Sequence, residues 1–191
     1  MSDTSRNPSE LHTPLRLAQE WMFEAWDILY PDLPRPFLTA TFRGPVDQEK
    51  AFDEGRSRAK FGESLHNFRP ALAFDVAFKN ERGGLDWSFD LFEKMAVLGD
   101  QVGLEWGGRW QGLVDGPHFQ VPVKASEVAK GVGIPKLPSH PSLPGQDGWR
   151  LVIMRDGAPL KIIEMLEAED VVMRYSAEKR RVYVDLRKES T

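Results

Sequence analysis

A chain of 191 residues that is 41% hydrophobic and 28% charged is large enough for one substantial core, or for a main domain with a small appendage. A formal net charge of −4 excludes the broad basic field that nucleic-acid binding requires, and no apolar run is long enough to span a bilayer, so neither nucleic acid nor membrane insertion is expected. The chain has no cysteine, which removes disulfides, thiolate ligands and thiol nucleophiles and leaves histidine and carboxylate as ligands for any transition metal.

In chain order, residues 1–12 are polar and read as a loose segment without the basic-then-apolar pattern of a secretory leader. Thr13-Pro14 marks a helix start, and Leu15, Leu17, Trp21, Met22, Ala25, Ile28 and Leu29 follow at helical spacing until Pro31 and Pro34 end it. Phe37 to Phe42 reads as a strand, and Gly44-Pro45 opens a second helix that Gly55 closes. Residues 56–70 read as loop. Residues 71–78 alternate, with Leu72, Phe74, Val76 and Phe78 on one face and Ala71, Ala73, Asp75 and Ala77 on the other. The large side chains should meet a helical layer, which leaves Asp75 on an alanine-lined face with room for an ion. A helix carrying Leu91, Phe92, Met95 and Leu98 starts near Asp86 or Ser88. A Gly- and Trp-rich loop spans Gly103 to Trp110, and His118 to Val123 alternates again.

Residues 131–148, with four prolines, read as a semi-rigid linker. Beyond it, Trp149 to Met154, Leu160 to Met165, Val171 to Tyr175 and Arg181 to Leu186 read as strands, separated by Asp156-Gly157 and Ala177-Glu178-Lys179. The expected fold class is α+β: a small antiparallel sheet with flanking helices holding a metal site, followed by a small β module. The expected domains are 1–130, a linker over 131–148, and the module over 149–191.

Catalytic zinc typically takes three protein ligands and keeps one position open. His66, Asp75 and His118 supply two imidazoles and a carboxylate. Asp115, three residues before His118 at the turn into the same strand, can manage a proton without ligating the metal. Arg43, at a strand end, is placed to stabilise a developing oxyanion, and Gln48 to hydrogen-bond a substrate backbone. Taken singly, each has a plain alternative: a turn, a satisfied strand histidine, a surface arginine, or, for Trp106 and Trp110, cleft or core aromatics. His12 and His140 receive no role.

As an ordered set the residues are more specific. Thr41-Phe42-Arg43, Gln48, Gly55-Arg56-Ser57, Ser64-Leu65-His66 through Ala73-Phe74-Asp75, Glu105-Trp106-Gly107-Gly108-Arg109-Trp110 and Asp115-Gly116-Pro117-His118-Phe119 together resemble the zinc peptidases of bacterial cell walls. That family holds D-alanyl-D-alanine carboxypeptidases and dipeptidases, and the L-alanyl-D-glutamate endopeptidases used by many phages as endolysins. The resemblance covers roughly residues 37–122. It implies Zn2+ held by His66, Asp75 and His118, Asp115 as general base and then acid, and Arg43 at the polarised carbonyl. It also implies substrate contacts from Ser64 and Gln48, with Trp110 beside them. One departure stands out. His66 and Asp75 are nine apart, where the family usually has seven with an intervening glycine, and Arg69-Pro70-Ala71 occupies the place of that glycine.

The implied activity is hydrolysis of a stem-peptide amide in peptidoglycan, as an L-alanyl-D-glutamate endopeptidase of the endolysin type. D-alanyl-D-alanine carboxypeptidase is the alternative within the same chemistry, and a non-catalytic wall-binding or virion structural protein the alternative outside it. The expected location is the host or bacterial cytoplasm until release to the wall.

Overall fold

A computed structural model describes residues 2–80, 82–143, 150–155, 158–164, 170–176 and 181–187. The chain divides into two compact units, Met1–Pro141 and Ser142–Thr191. The first unit holds α1 (Thr13–Leu29), β1 (Pro36–Ala40), α2 (Pro45–Asp53), β2 (Ala73–Lys79), β3 (Leu85–Asp86), α3 (Phe89–Gln101), β4 (Glu105–Trp106), β5 (His118–Gln120) and α4 (Ala125–Ala129). Short 3-10 turns lie at Pro8–Glu10, Leu65–Asn67 and Gly107–Arg109.

The five strands form one antiparallel sheet in the order β1-β2-β5-β4, with β3 paired to the far end of β2. The alternation read in residues 72–78 is what builds it. Phe74 stacks on Phe119 of β5 at 5.6 Å, and Phe78 meets Trp26 of α1 at 5.0 Å and Phe92 of α3 at 5.3 Å. One face of the sheet is therefore packed against helices α1 and α3. Burial of each such aromatic contributes about 1.5–3 kcal/mol. A Cβ on Gly99 would lie 3.1 Å from the Phe119 ring, so the absence of a side chain there lets α3 sit close to the strands.

The opposite face is polar. Cross-strand partners share a face, and the register pairs Asp75 with His118 and Glu105 with Gln120. His118 and Gln120 are two apart on β5. Asp75, His118, Gln120 and Glu105 thus line one face of three adjacent strands, away from the helices.

The N-terminal segment differs from the loose arm expected of residues 1–12. Ser5 N–H donates to the Phe42 carbonyl and Thr41 N–H to the Ser5 carbonyl, both at 2.8 Å. The Asp3 carboxylate caps α2, accepting from Val46 N at 3.0 Å and Asp47 N at 2.9 Å. Asp47 in turn accepts from the Ser2 and Thr4 hydroxyls. Leu11 is buried, and Ala71 N–H donates to the Glu10 carbonyl at 2.8 Å. The polar arm is stitched along the strand end and loop that carry the site.

In the second unit, β6 (Arg150–Arg155) pairs with β7 (Ala158–Glu164), and β8 (Asp170–Ser176) with β9 (Arg181–Arg187), as two antiparallel hairpins. The expected strand ends Trp149 and Met165, the turn residues 156–157 and 177–179, and linker residues 144–148 lie outside the described residues. Earlier in the expected linker, Leu137 is buried in the first unit. No helix among the described residues is long and apolar enough to cross a membrane.

Candidate metal centre

His66 sits in the 3-10 turn Leu65–Asn67, whose N-cap is Ser64. The Ser64 hydroxyl accepts from His66 N at 3.3 Å, while the Asn67 amide oxygen accepts from Ser64 N at 3.2 Å. That reciprocal cap fixes the turn and aims the imidazole at the polar sheet face. The residues between His66 and Asp75 are taken up before β2 begins, where Leu72 N–H donates to the Leu65 carbonyl at 3.0 Å and ties the ends of the loop together.

Three ligand atoms converge. His66 Nε2 lies 3.0 Å from Asp75 Oδ1, His118 Nδ1 lies 3.0 Å from the same oxygen, and the two ring nitrogens are 3.2 Å apart. A tetrahedral ion with ligands at about 2.0–2.1 Å separates its ligand atoms by about 3.3 Å, close to this triangle. All three residues are buried.

The outer atoms of both rings are committed. His66 Nδ1–H donates to the Thr41 carbonyl at 2.6 Å, which can only accept, so Nε2 keeps its lone pair. His118 Nε2–H donates to Gln120 Oε1 at 3.0 Å, which leaves the Nδ1 lone pair facing inward. Two imidazole lone pairs and a carboxylate oxygen facing one another repel unless a cation or proton lies between them. The donor set therefore fits a divalent metal, and two nitrogens with one oxygen suit zinc.

Burial opposes ionisation of Asp75, yet the facing imidazoles of His66 and His118 hold its carboxyl well below the usual range. Burial likewise opposes protonation of His118, but hydrogen bonding and charge from Asp75, with Asp115 and Gln120, raise its pKa above 6.5. Asp115 is half-buried. Burial first, and then the Asp75 charge, push its pKa up against the pull of the two imidazoles and Arg43.

The Trp-Gly-Gly segment positions Asp115 and His118. Trp106 Nε1–H donates to the Gly116 carbonyl at 2.6 Å, and Asp115 N–H donates to the Gly107 carbonyl at 3.0 Å. A Cβ on Gly107 would stand 2.7 Å from the Asp115 carbonyl oxygen and 3.1 Å from His118 Cβ, so only glycine admits the turn. A cleft of about 1060 Å³ opens over this face, and Arg43, Ser64, His66, Trp110, Asp115 and His118 are among its lining residues.

Two expected residues are placed differently from the sequence reading. Gln48 is fully buried, its Nε2 donating to Ser57 Oγ at 3.0 Å and the Ala59 carbonyl at 2.7 Å, and its Oε1 accepting from Asn67 at 3.2 Å. Its amide is spent framing the loop, which corrects the expectation of a substrate hydrogen bond. Arg43 reaches the cleft but is not free, because Nη2 donates to Asp75 Oδ2 at 2.7 Å and holds the carboxylate with Oδ1 toward the imidazoles. Trp110 stands with its ring 4.9 Å from His118. Sequence reasoning assigned no role to Thr41, Asn67, Gln120 or Glu105, although Thr41 and Glu105 stand within the matching segments. Of these, Gln120 carried a signal, standing two residues after His118 on the same strand face.

An His-Asp-His cluster on an antiparallel sheet, beneath an open cleft and beside a carboxylate of raised pKa, is a donor set able to hold a metal ion. Residues 57–121, which contain all three candidate ligands and Asp115, match the family profile described as D-alanyl-D-alanine carboxypeptidase. It is 27% identical over 100 residues to the peptidoglycan L-alanyl-D-glutamate endopeptidase CwlK of Bacillus subtilis strain 168, an alignment covering 44% of this chain and 59% of the relative. The chain thus spans about three fifths of that relative's length. The crystal structure of the Serratia marcescens L-Ala D-Glu endopeptidase ChiX superposes with a TM-score of 0.45 at 25% identity, covering 63% of this chain and 89% of that one.

Proposed function

We propose that this chain is a zinc-dependent peptidoglycan peptidase that cleaves a stem-peptide amide, with the L-alanyl-D-glutamate bond as its target. The observation that carries the reading is the triangle of His66 Nε2, Asp75 Oδ1 and His118 Nδ1, all within 3.2 Å of one another, with both rings fixed in the ligating tautomer. The match to CwlK supports the choice of bond.

His66, Asp75 and His118 would hold the zinc, which would polarise the scissile carbonyl and lower the pKa of the attacking water. Asp115 takes the proton of the attacking water, and the upward push that burial and the Asp75 charge give its pKa favours its holding that proton. As the carbon–oxygen bond forms and the carbon–nitrogen bond breaks, Asp115 returns the proton to the leaving amine of D-glutamate. Arg43, anchored on Asp75 and lining the cleft, brings positive charge to the developing oxyanion. Ser64 and Trp110 line the cleft and position the peptide.

Digestion of purified peptidoglycan by the zinc-loaded protein, followed by mass spectrometry, tests the assignment. Fragments with a new free amine on D-glutamate are expected. The family description favours one alternative, a D-alanyl-D-alanine carboxypeptidase, and release of free D-alanine without such fragments selects it.

An endolysin-type setting, with the chain held in the host cytoplasm until it reaches the wall, accords with the aspartate at position 115 and its resemblance to that branch. Lysis of expressing cells only after the inner membrane is permeabilised is the expected behaviour. In this reading the first unit is catalytic, and the two hairpins of the second unit form a separate wall-targeting module.

A further inference from the structure

One side chain on the polar face is bonded to both the metal-ligand support and the cleft wall. Glu105 Oε2 accepts from Gln120 Nε2 at 3.1 Å, and Glu105 Oε1 accepts from Trp110 Nε1 at 2.5 Å. Gln120 Oε1 in turn accepts from His118 Nε2 at 3.0 Å. The register places these groups side by side, since Glu105 and Gln120 are cross-strand partners on β4 and β5.

A carboxylate has no proton to donate, so it takes the NH2 end of the Gln120 amide and leaves the oxygen end for His118. With the amide turned the other way, two N–H groups would meet at His118 Nε2. The imidazole would then carry its proton on Nδ1, the atom that faces Asp75 and His66. We propose that Glu105 is a positioning residue that sets the His118 tautomer through Gln120 and ties the Trp110 wall of the cleft to the metal ligand. This rests on the reading of His66, Asp75 and His118 as a metal site.

Glu105→Gln is nearly isosteric but offers one acceptor oxygen to two donors, the Gln120 amide and the Trp110 indole. The full chain, stripped of metal and titrated with zinc against a competing chelator, is expected to bind about 10–100-fold more weakly in this variant. In the metal-free protein, imidazole 15N shifts should move the His118 proton from Nε2 to Nδ1, a change that general loosening of the fold does not produce. Adding Trp110→Phe removes the competing indole donor, so the double variant should regain most of the affinity and the wild-type tautomer. It also carries the test if the single variant does not fold. Glu105→Gln binding zinc within twofold of wild type, or a double variant no tighter than the single, overturns the proposal. Wild-type protein that binds no zinc overturns the metal reading itself, a distinct result.

Discussion

Asp115 is the residue on which the proposed chemistry turns. Asp115→Asn keeps its size and removes its basicity, so kcat should fall by about 10²–10⁴-fold while zinc content stays at one equivalent. Equal loss of zinc would make Asp115 a ligand rather than the proton carrier. The sign of the pH dependence follows from its surroundings. Asp115 acts as base only when ionised, and burial together with Asp75 raises its pKa. The acid limb of the kcat/KM profile should therefore lie above the range of an ordinary aspartate, and it should be missing from the residual activity of Asp115→Asn. Arg43 and Gln48 show the reach of residue-level reading. Both were identified as polar groups near a helix start. Position along the chain says nothing of which acceptor a long side chain will find, and the two ended in different places, one on Asp75 and one inside the loop.

At the scale of elements, the N-terminal arm is the feature that composition hides. Its residues are mostly polar, so hydrophobic patterning reads it as loose, yet its order comes from backbone bonds to Thr41, Phe42 and Gly44 and from the cap on α2. Asp3→Ala should cost about 1 kcal/mol, seen as a Tm lower by about 2–4 °C. An unchanged Tm would mean the arm does not hold α2. Hydrogen bonds from the Ser2 and Thr4 hydroxyls bring the Asp47 carboxyl down from 3.8 to about 2. A depressed carboxylate stabilises the fold above its unfolded pKa and loses that contribution as pH falls through the folded one. The arm should therefore stay attached at neutral pH and release between about pH 4 and pH 2, which limited proteolysis at acid pH can detect; nicking already present at neutral pH would contradict it. The central strand β2 was legible because large apolar side chains alternating with alanines and Asp75 at a period of two are a direct signal of a sheet face. The Glu105–Gln120 link was not, because it depends on which strand lies beside which and in what register. The pairing of β4 with β5 is a tertiary fact.

For the whole molecule, the chain resolves into two units, and the first contains every residue assigned to the metal and the cleft. A truncated chain ending at Pro141 should fold and bind zinc as the full chain does, and should lose affinity for intact walls if residues 142–191 target them. Failure of the truncated chain to fold would make the second unit a structural requirement. Because the ligands share one buried triangle, zinc at about 100 times its Kd should stabilise the fold by about 2.7 kcal/mol. The most direct measurement of the central claim is the zinc K-edge absorption spectrum of the zinc-loaded 191-residue chain. The account predicts one tightly retained ion with two imidazole nitrogens and a carboxylate oxygen at about 2.0–2.1 Å, and loss of one nitrogen in His118→Ala. Protein that retains no zinc after dialysis, or a spectrum of oxygen ligands alone that His118→Ala leaves unchanged, would contradict it.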